Sequence, residues 1–250
     1  MNVALYGRSY RRWAMTERGA TRLFRDADAL VIGSSALTWR ADHLTILINE
    51  TANPVPRRIR GRIRVYPTVL NDEAINLDSD GIHRWRAVAP VARVEVTLER
   101  PALDWRGHAY FDSNHGAAPL EQAFRRWDWS RATQRDGTAV LYDVVPRHGA
   151  PRTLALKFRN DGSQYHFEAP PPSPLPRSAW RVARATRSDA GHASRVIETL
   201  EDTPFYARSL IAAQLLGEPV HALHESLSLE RFSARWVQAL LPFRMPRAIR

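Results

Sequence analysis

Val91-Ala-Arg-Val-Glu-Val-Thr-Leu98 alternates apolar and polar side chains up to Pro101. A period of two marks a strand with one buried face. Upstream, Ile59 to Val65 repeats the pattern with Ile and Arg, as a half-exposed strand would. Leu44-Thr-Ile-Leu-Ile48 is a buried strand candidate, stopped by Asn53-Pro54. Asp78-Ser-Asp-Gly81 is a turn that leads into a strand beginning His83-Arg-Trp85.

Downstream the signals continue. Gly107 to Asp112 is a short strand closed by Ser113-Asn-His-Gly116. Asp136-Gly137 separates Trp127-Asp-Trp129 from Ala139-Val-Leu-Tyr142, a hairpin. Leu154 to Phe158 runs to Asn160-Asp-Gly162, with Tyr165-His-Phe167 beyond it. The chain starts as a strand already under way, at Asn2-Val-Ala-Leu-Tyr6. Many short strands with regularly spaced turns predict a mainly β protein, a barrel or sandwich.

Ala169-Pro-Pro-Pro-Ser-Pro-Leu-Pro176 is the linker candidate, because proline cannot continue a helix or a central strand. It divides the chain into 1–169, a linker at 170–176, and 177–250. Trp180 to Ala185 and Arg195 to Leu200 read as strands. Helices are expected near Leu210–Leu216, ended by Gly217, and near Leu229–Leu240, ended by Pro242.

Composition narrows the function classes. With 250 residues, 44% hydrophobic and 25% charged, the chain has enough material for a packed core. No stretch approaches the roughly 20 apolar residues of a spanning helix. The first residues lack the basic and apolar regions of a signal peptide. With no cysteine, disulfides, thiolate metal sites and Cys nucleophiles are excluded, and a reducing cytoplasm is the simple expectation.

The net charge of +10 comes almost wholly from arginine, since Lys157 is the single lysine. The arginines are scattered, and no recognition helix or stacking motif accompanies them. Peripheral contact with an anionic membrane surface accounts for them best, solvated charge next, nucleic acid last.

Four residues form two same-face pairs. His83 and Trp85 are two apart, as are Tyr110 and Asp112, with His108 in line before them. On one barrel wall they would bring an imidazole, an indole, a phenol and a carboxyl to a common interior. Each also has a plain structural reading, the aromatics as packing and Asp112 as a turn former before Ser113-Asn114. Glu201-Asp202 stands next to Thr203-Pro204, where a turn or cap role fits. His224-Glu225 lacks the second histidine of a zinc motif. No phosphate loop, nucleophile elbow or metal cluster is present, and no cofactor is expected.

Several longer stretches resemble the bacterial carotenoid 1,2-hydratases, also called hydroxyneurosporene synthases. They are Asn2-Val-Ala-Leu-Tyr-Gly7, Arg12-Trp-Ala-Met-Thr-Glu-Arg-Gly19, Gly81-Ile-His-Arg-Trp85 with Ala89-Pro90, and Gly107-His-Ala-Tyr-Phe-Asp-Ser-Asn114 with Pro119-Leu-Glu121. Further along come Trp127-Asp-Trp-Ser-Arg131, Thr199 to Ser209, His224-Glu-Ser-Leu227 and Leu241-Pro-Phe-Arg-Met-Pro246. The matches follow one order from end to end. Family members carry further sequence ahead of the first stretch, so a missing N-terminal segment, and with it an unpaired strand edge, is expected.

The resemblance implies two lipocalin-like (calycin-type) β-barrel domains with an apolar pocket. It implies addition of water to the terminal C1=C2 bond of an acyclic carotenoid such as neurosporene or lycopene. It implies an essential acid at Asp112, supported by Tyr110, Trp85 and His83. Such an alkene has no carbonyl to polarise, so the feasible route is protonation at C2, a tertiary cation at C1, and capture by water. A carboxyl in an apolar barrel holds its proton to higher pH. Trp85 and Tyr110 would face the cation, and His83 would orient Asp112 or activate the water. Asn114, His115, Glu50 and Trp129 are candidate substrate-binding residues, with Asp128 a further candidate. The expected place is the cytoplasmic side of the inner (photosynthetic) membrane. The rival readings are a lipocalin-like carrier, and isomerisation or cyclisation of a polyene on the same scaffold.

Overall fold

A computed structural model describes residues 1–7 and 10–244. Met245 and Pro246 of the last quoted motif, and the end of the 177–250 segment, lie outside them. The fold is mainly β, as expected. Among the described residues no sheet closes into a barrel, because each strand order has two free ends.

The chain forms two compact units, and they do not divide at the proline run. One comprises 1–68, 92–109 and 239–250; the other comprises 69–91 and 110–238. The proline run lies within the second. Pro172–Leu175 is itself a strand, paired antiparallel with Arg184–Arg187 in a two-stranded ribbon. A ribbon of two has no central strand, so its missing proline N–H groups cost no ladder bond. Val182, Ser178 and Leu175 are buried in this segment, which is therefore packed rather than a free linker.

In the first unit, Leu44–Thr51, Ser35–Trp39, Ala29–Ile32 and Leu23–Arg25 pair antiparallel in succession with Arg58–Val69. Gly61 interrupts the Ile/Arg alternation for a steric reason. A Cβ there would lie 2.5 Å from the Leu98 Cα, so only glycine allows the backbones this close. A separate hairpin, Asn2–Tyr6 with Arg11–Met15, packs Ala14 with Ile48, Ala52 and Ile59.

The second unit is built on a seven-stranded antiparallel sheet. Its order is Gln164–His166, Arg152–Arg159, Gly137–Pro146, Phe124–Gln134, Glu218–Ser228, Tyr206–Leu215, Arg195–Asp202. The hairpin at Asp136-Gly137 forms as read, with Gln134 opposite Gly137 and Trp129 opposite Tyr142. Tyr206–Leu215 is a strand, not the helix expected near Leu210–Leu216. The expected C-terminal helix is divided into Leu229–Phe232 and Arg235–Arg244, and Pro242 lies inside the second piece.

Alternation gives this sheet two different faces. One carries Trp127, Trp129, Val140, Tyr142, Leu154 and Leu156 into the larger core cluster, with Trp85 and Phe124. The other carries Ala132, Ala139, Leu141, Ala155 and Ala222 against Leu175 of the ribbon. On that second side, several charged groups are engaged. Arg187 grips Asp143 through Nε and Nη2 at 2.7–3.0 Å. Arg184 donates to Thr199 and Ser209 at 3.0 Å. Lys157 is buried with Gln134 and Asp136 as partners.

Candidate active site

His83 and Trp85 open the His83–Arg100 strand and are both buried, at 2% and 1% exposure. Tyr110 and Asp112 are half-buried in Leu103–Gly116, which runs four residues past Asp112 instead of closing at Ser113. The indole Nε1–H of Trp85 donates to Oδ2 of Asp112 at 2.9 Å. The Tyr110 hydroxyl makes a longer, weaker bond of 3.4 Å to the same oxygen. Three of the four expected residues are thus one bonded group.

Burial pushes the Asp112 carboxyl above its ordinary range, opposed by the bonds from Trp85 and Tyr110. Burial, and then the neighbouring Asp112 charge, drives the Tyr110 phenol well up, so it acts as a donor. Both donors fall on Oδ2. A proton carried by the neutral acid therefore belongs on Oδ1, because Oδ2 is already accepting two hydrogens.

His83 is bonded elsewhere. Its Nδ1 lies 2.7 Å from Oδ2 of Asp78, and its Nε2 lies 2.9 Å from the carbonyl oxygen of Ala118. A carbonyl can only accept, so Nε2 carries a hydrogen. Neither ring nitrogen reaches Asp112. Burial raises Asp78, but bonds from the His83 ring and from the Ile82 and His83 N–H groups prevail and hold its carboxyl low. His83 thus ties the turn at 78–81 to the segment after Gly116. A Cβ at Gly116 would meet the His83 ring at 2.5 Å, so that approach needs glycine.

Aromatic rings surround the acid. Tyr142 meets Trp85 edge to face at 5.9 Å and Trp127 at 6.0 Å; Trp129 is tilted against Tyr110 at 5.5 Å. Trp129 is buried and its Nε1–H has no protein partner among the described residues. Tyr142 and Arg131 were missed in the sequence. The hairpin register offered a signal for Tyr142, since it puts that residue opposite Trp129.

Among the described residues the hydrogen bonds of Asp112 come from Trp85 and Tyr110, and the other candidates have different surroundings. Asn114, His115 and His108 are exposed. Glu50 belongs to the first unit, where its buried carboxylate is filled by Arg18 at 2.8 Å, Ser35 at 2.6 Å and Thr16 at 3.2 Å. Asp128 faces the ribbon side of its sheet, accepting from Ser226 and from the Ala185 N–H. His224, on the same side, donates Nε2–H to the Ala185 carbonyl at 2.8 Å. Glu225 pairs with Arg208, and Thr203 caps its own turn through the Tyr206 N–H. No cluster of three or more acidic or histidine side chains placed for a metal occurs among the described residues. No described helix is long and apolar enough to cross a membrane.

What this arrangement can do is donate a proton beside a group of aromatic rings. Comparison with known proteins bears on what receives it. The family model described as carotenoid hydratase CrtC matches residues 1–250. Acyclic carotenoid 1,2-hydratases of Thiocapsa roseopersicina and Rubrivivax gelatinosus are 53% and 48% identical over 99% of the chain. The chain spans 61% of the length of each of these relatives. The Cereibacter sphaeroides enzyme of the same name is 38% identical, and 88% of its length is covered. The crystal structure of CghA with Sch210972 aligns at TM-score 0.51 over 88% of this chain and 77% of that one. Its identity is 12%, a likeness of fold alone.

Proposed function

The chain belongs to the carotenoid hydratase family, and from that premise we propose that it adds water across the terminal C1=C2 bond of an acyclic carotenoid. The observation that carries this reading is the Asp112 carboxyl, raised by burial and bonded through one oxygen to Trp85 and Tyr110.

The acid proton leaves Oδ1 of Asp112, and the alkene π pair forms the C2–H bond. A tertiary cation is left at C1. The two donors on Oδ2 stabilise the carboxylate at the moment it forms, which favours release of the proton. The electron-rich rings of Trp85, Tyr110 and Tyr142 face the developing charge, each such contact contributing about 2 kcal/mol when water is excluded. A water oxygen then bonds to C1, and its surplus proton returns to Asp112. The acid is regenerated and nothing is oxidised or reduced. His83 acts as a positioning residue that braces the turn ahead of Trp85, since both its ring nitrogens are engaged.

A long apolar polyene partitions into lipid. Contact with an anionic membrane surface is the setting that goes with this substrate and with the +10 charge. Two lipocalin-like units are the fold reading that accompanies it; the division into two β-rich units supports that reading.

The test is to express the chain in a lycopene-producing host and analyse the pigments by chromatography and mass spectrometry. A pigment heavier by one water is expected. A chain that binds the pigment and leaves its mass unchanged would be a carrier instead, and a new pigment of equal mass would point to isomerisation or cyclisation.

A further inference from the structure

Arg131 is a cation in a place where a strand side chain should be packing. It follows Trp127 and Trp129 at two-residue spacing on Phe124–Gln134, so it shares their inward face. Its guanidinium carbon lies 5.5 Å from the centroid of the Tyr110 ring. Nη1 donates to Thr133 at 3.3 Å, and Nε is buried with no hydrogen-bond partner among the described residues. Among the described residues no carboxylate lies at bonding distance from Arg131. The charge is held by a ring, and the ring's hydroxyl is what bonds Asp112.

We propose that Arg131 is a positioning residue for the acid: through Tyr110 it polarises the phenol toward Asp112 and favours the carboxylate left when the proton departs. This rests on Asp112 being the acid of the proposed reaction. The ionisable groups around Asp112 are few. Tyr110 and Tyr142 are both driven up by burial and by the Asp112 charge, so they are neutral. Glu225 bears on Tyr142 but is paired with Arg208. Burial pulls Arg131 down, while Tyr110 and Asp112 hold it up. Arg131 is thus a cation that acts on Asp112. A fixed positive charge also biases where the substrate cation can form. The reacting carbon belongs on the Trp85 and Tyr142 side of the acid, with the Tyr110 ring between it and Arg131.

The test follows the Asp112 carboxyl by carbon-13 NMR titration in the wild-type chain, Arg131→Gln and Arg131→Lys, beside the pH profile of hydration. Glutamine removes the charge, so Asp112 should titrate at higher pH, and the alkaline limb of the profile, where the acid loses its proton, should move up with it. Turnover should fall roughly tenfold with KM nearly unchanged, since the charge acts as the proton leaves. Lysine keeps a charge that cannot lie flat on the ring, and should shift both in the same direction by less. If Arg131→Gln does not fold, the lysine variant alone decides. A folded variant whose Asp112 titrates as in the wild type would overturn the proposal. The titration needs no carotenoid. A shifted titration in a chain that hydrates nothing would leave this coupling standing and remove the proposed function; an unshifted one in an active chain would do the reverse.

Discussion

Trp85 and Asp112 are 27 residues apart in sequence, and the indole N–H of one donates to a carboxylate oxygen of the other at 2.9 Å. The bond fixes the acid against the ring best able to stabilise a cation. Trp85→Phe keeps most of the packing against Tyr142 and deletes the donor. It should lower turnover more than it raises KM, because the donor matters most once Asp112 is a carboxylate. Steady-state rates on pigment in detergent check this; a pure KM effect would make Trp85 a binding residue only.

His83 separates structure from chemistry. His83→Ala strands the Asp78 carboxylate and the Ala118 carbonyl and opens a cavity beside Phe124, which should cost about 3 kcal/mol of stability. Gly116→Ala should cost about 1–3 kcal/mol by crowding the same ring. Both proteins, once folded at low temperature, should keep more activity per molecule than any Asp112 variant. Chemical denaturation alongside activity reads the two quantities; complete inactivity of folded His83→Ala would restore the imidazole to the reaction.

Asp128 and His224, 4.0 Å apart under the ribbon, set opposed pH dependences. Burial raises Asp128 from 3.8 to about 6, so its contribution to stability is lost as pH rises through that interval. Burial lowers His224 from 6.5 to about 4, so its contribution is lost as pH falls through about 4. Each amounts to about 3 kcal/mol, and the two nearly cancel between pH 4 and 6.5. Asp128→Asn should therefore make Tm climb with pH across this window, and His224→Gln should make it fall. Parallel Tm-against-pH curves for both variants and the wild type would contradict the pairing.

The legible parts of the fold are those where alternation and turn chemistry agree. Ile59 to Val65, Val91 to Leu98 and the Asp136-Gly137 hairpin show a period of two beside residues that stop or reverse a strand. The same period puts His83 with Trp85 and Tyr110 with Asp112 on common faces, and Trp85, Tyr110 and Asp112 do form one bonded group. Tyr206–Leu215 misled because its buried face carries Ala207 and Ser209, one small and one polar, before Ile211, which hides the alternation. Pairing on both edges made it a strand. The unit boundary was illegible because His83–Arg100 and Leu103–Gly116 each contribute residues to both units. Arg131 could not be told from the other arginines, since an arginine in a strand reads as surface until its neighbours are known.

Hydration by Asp112→Asn is the measurement that bears most directly on the acid. The amide keeps the shape and an oxygen for the Trp85 N–H to reach, and it has no proton acidic enough for an alkene. Pigment analysis of cells making lycopene and the folded variant should show no product heavier by one water, where the wild-type chain gives one. Substantial hydrated pigment from the variant would contradict the assignment of Asp112 as the proton donor.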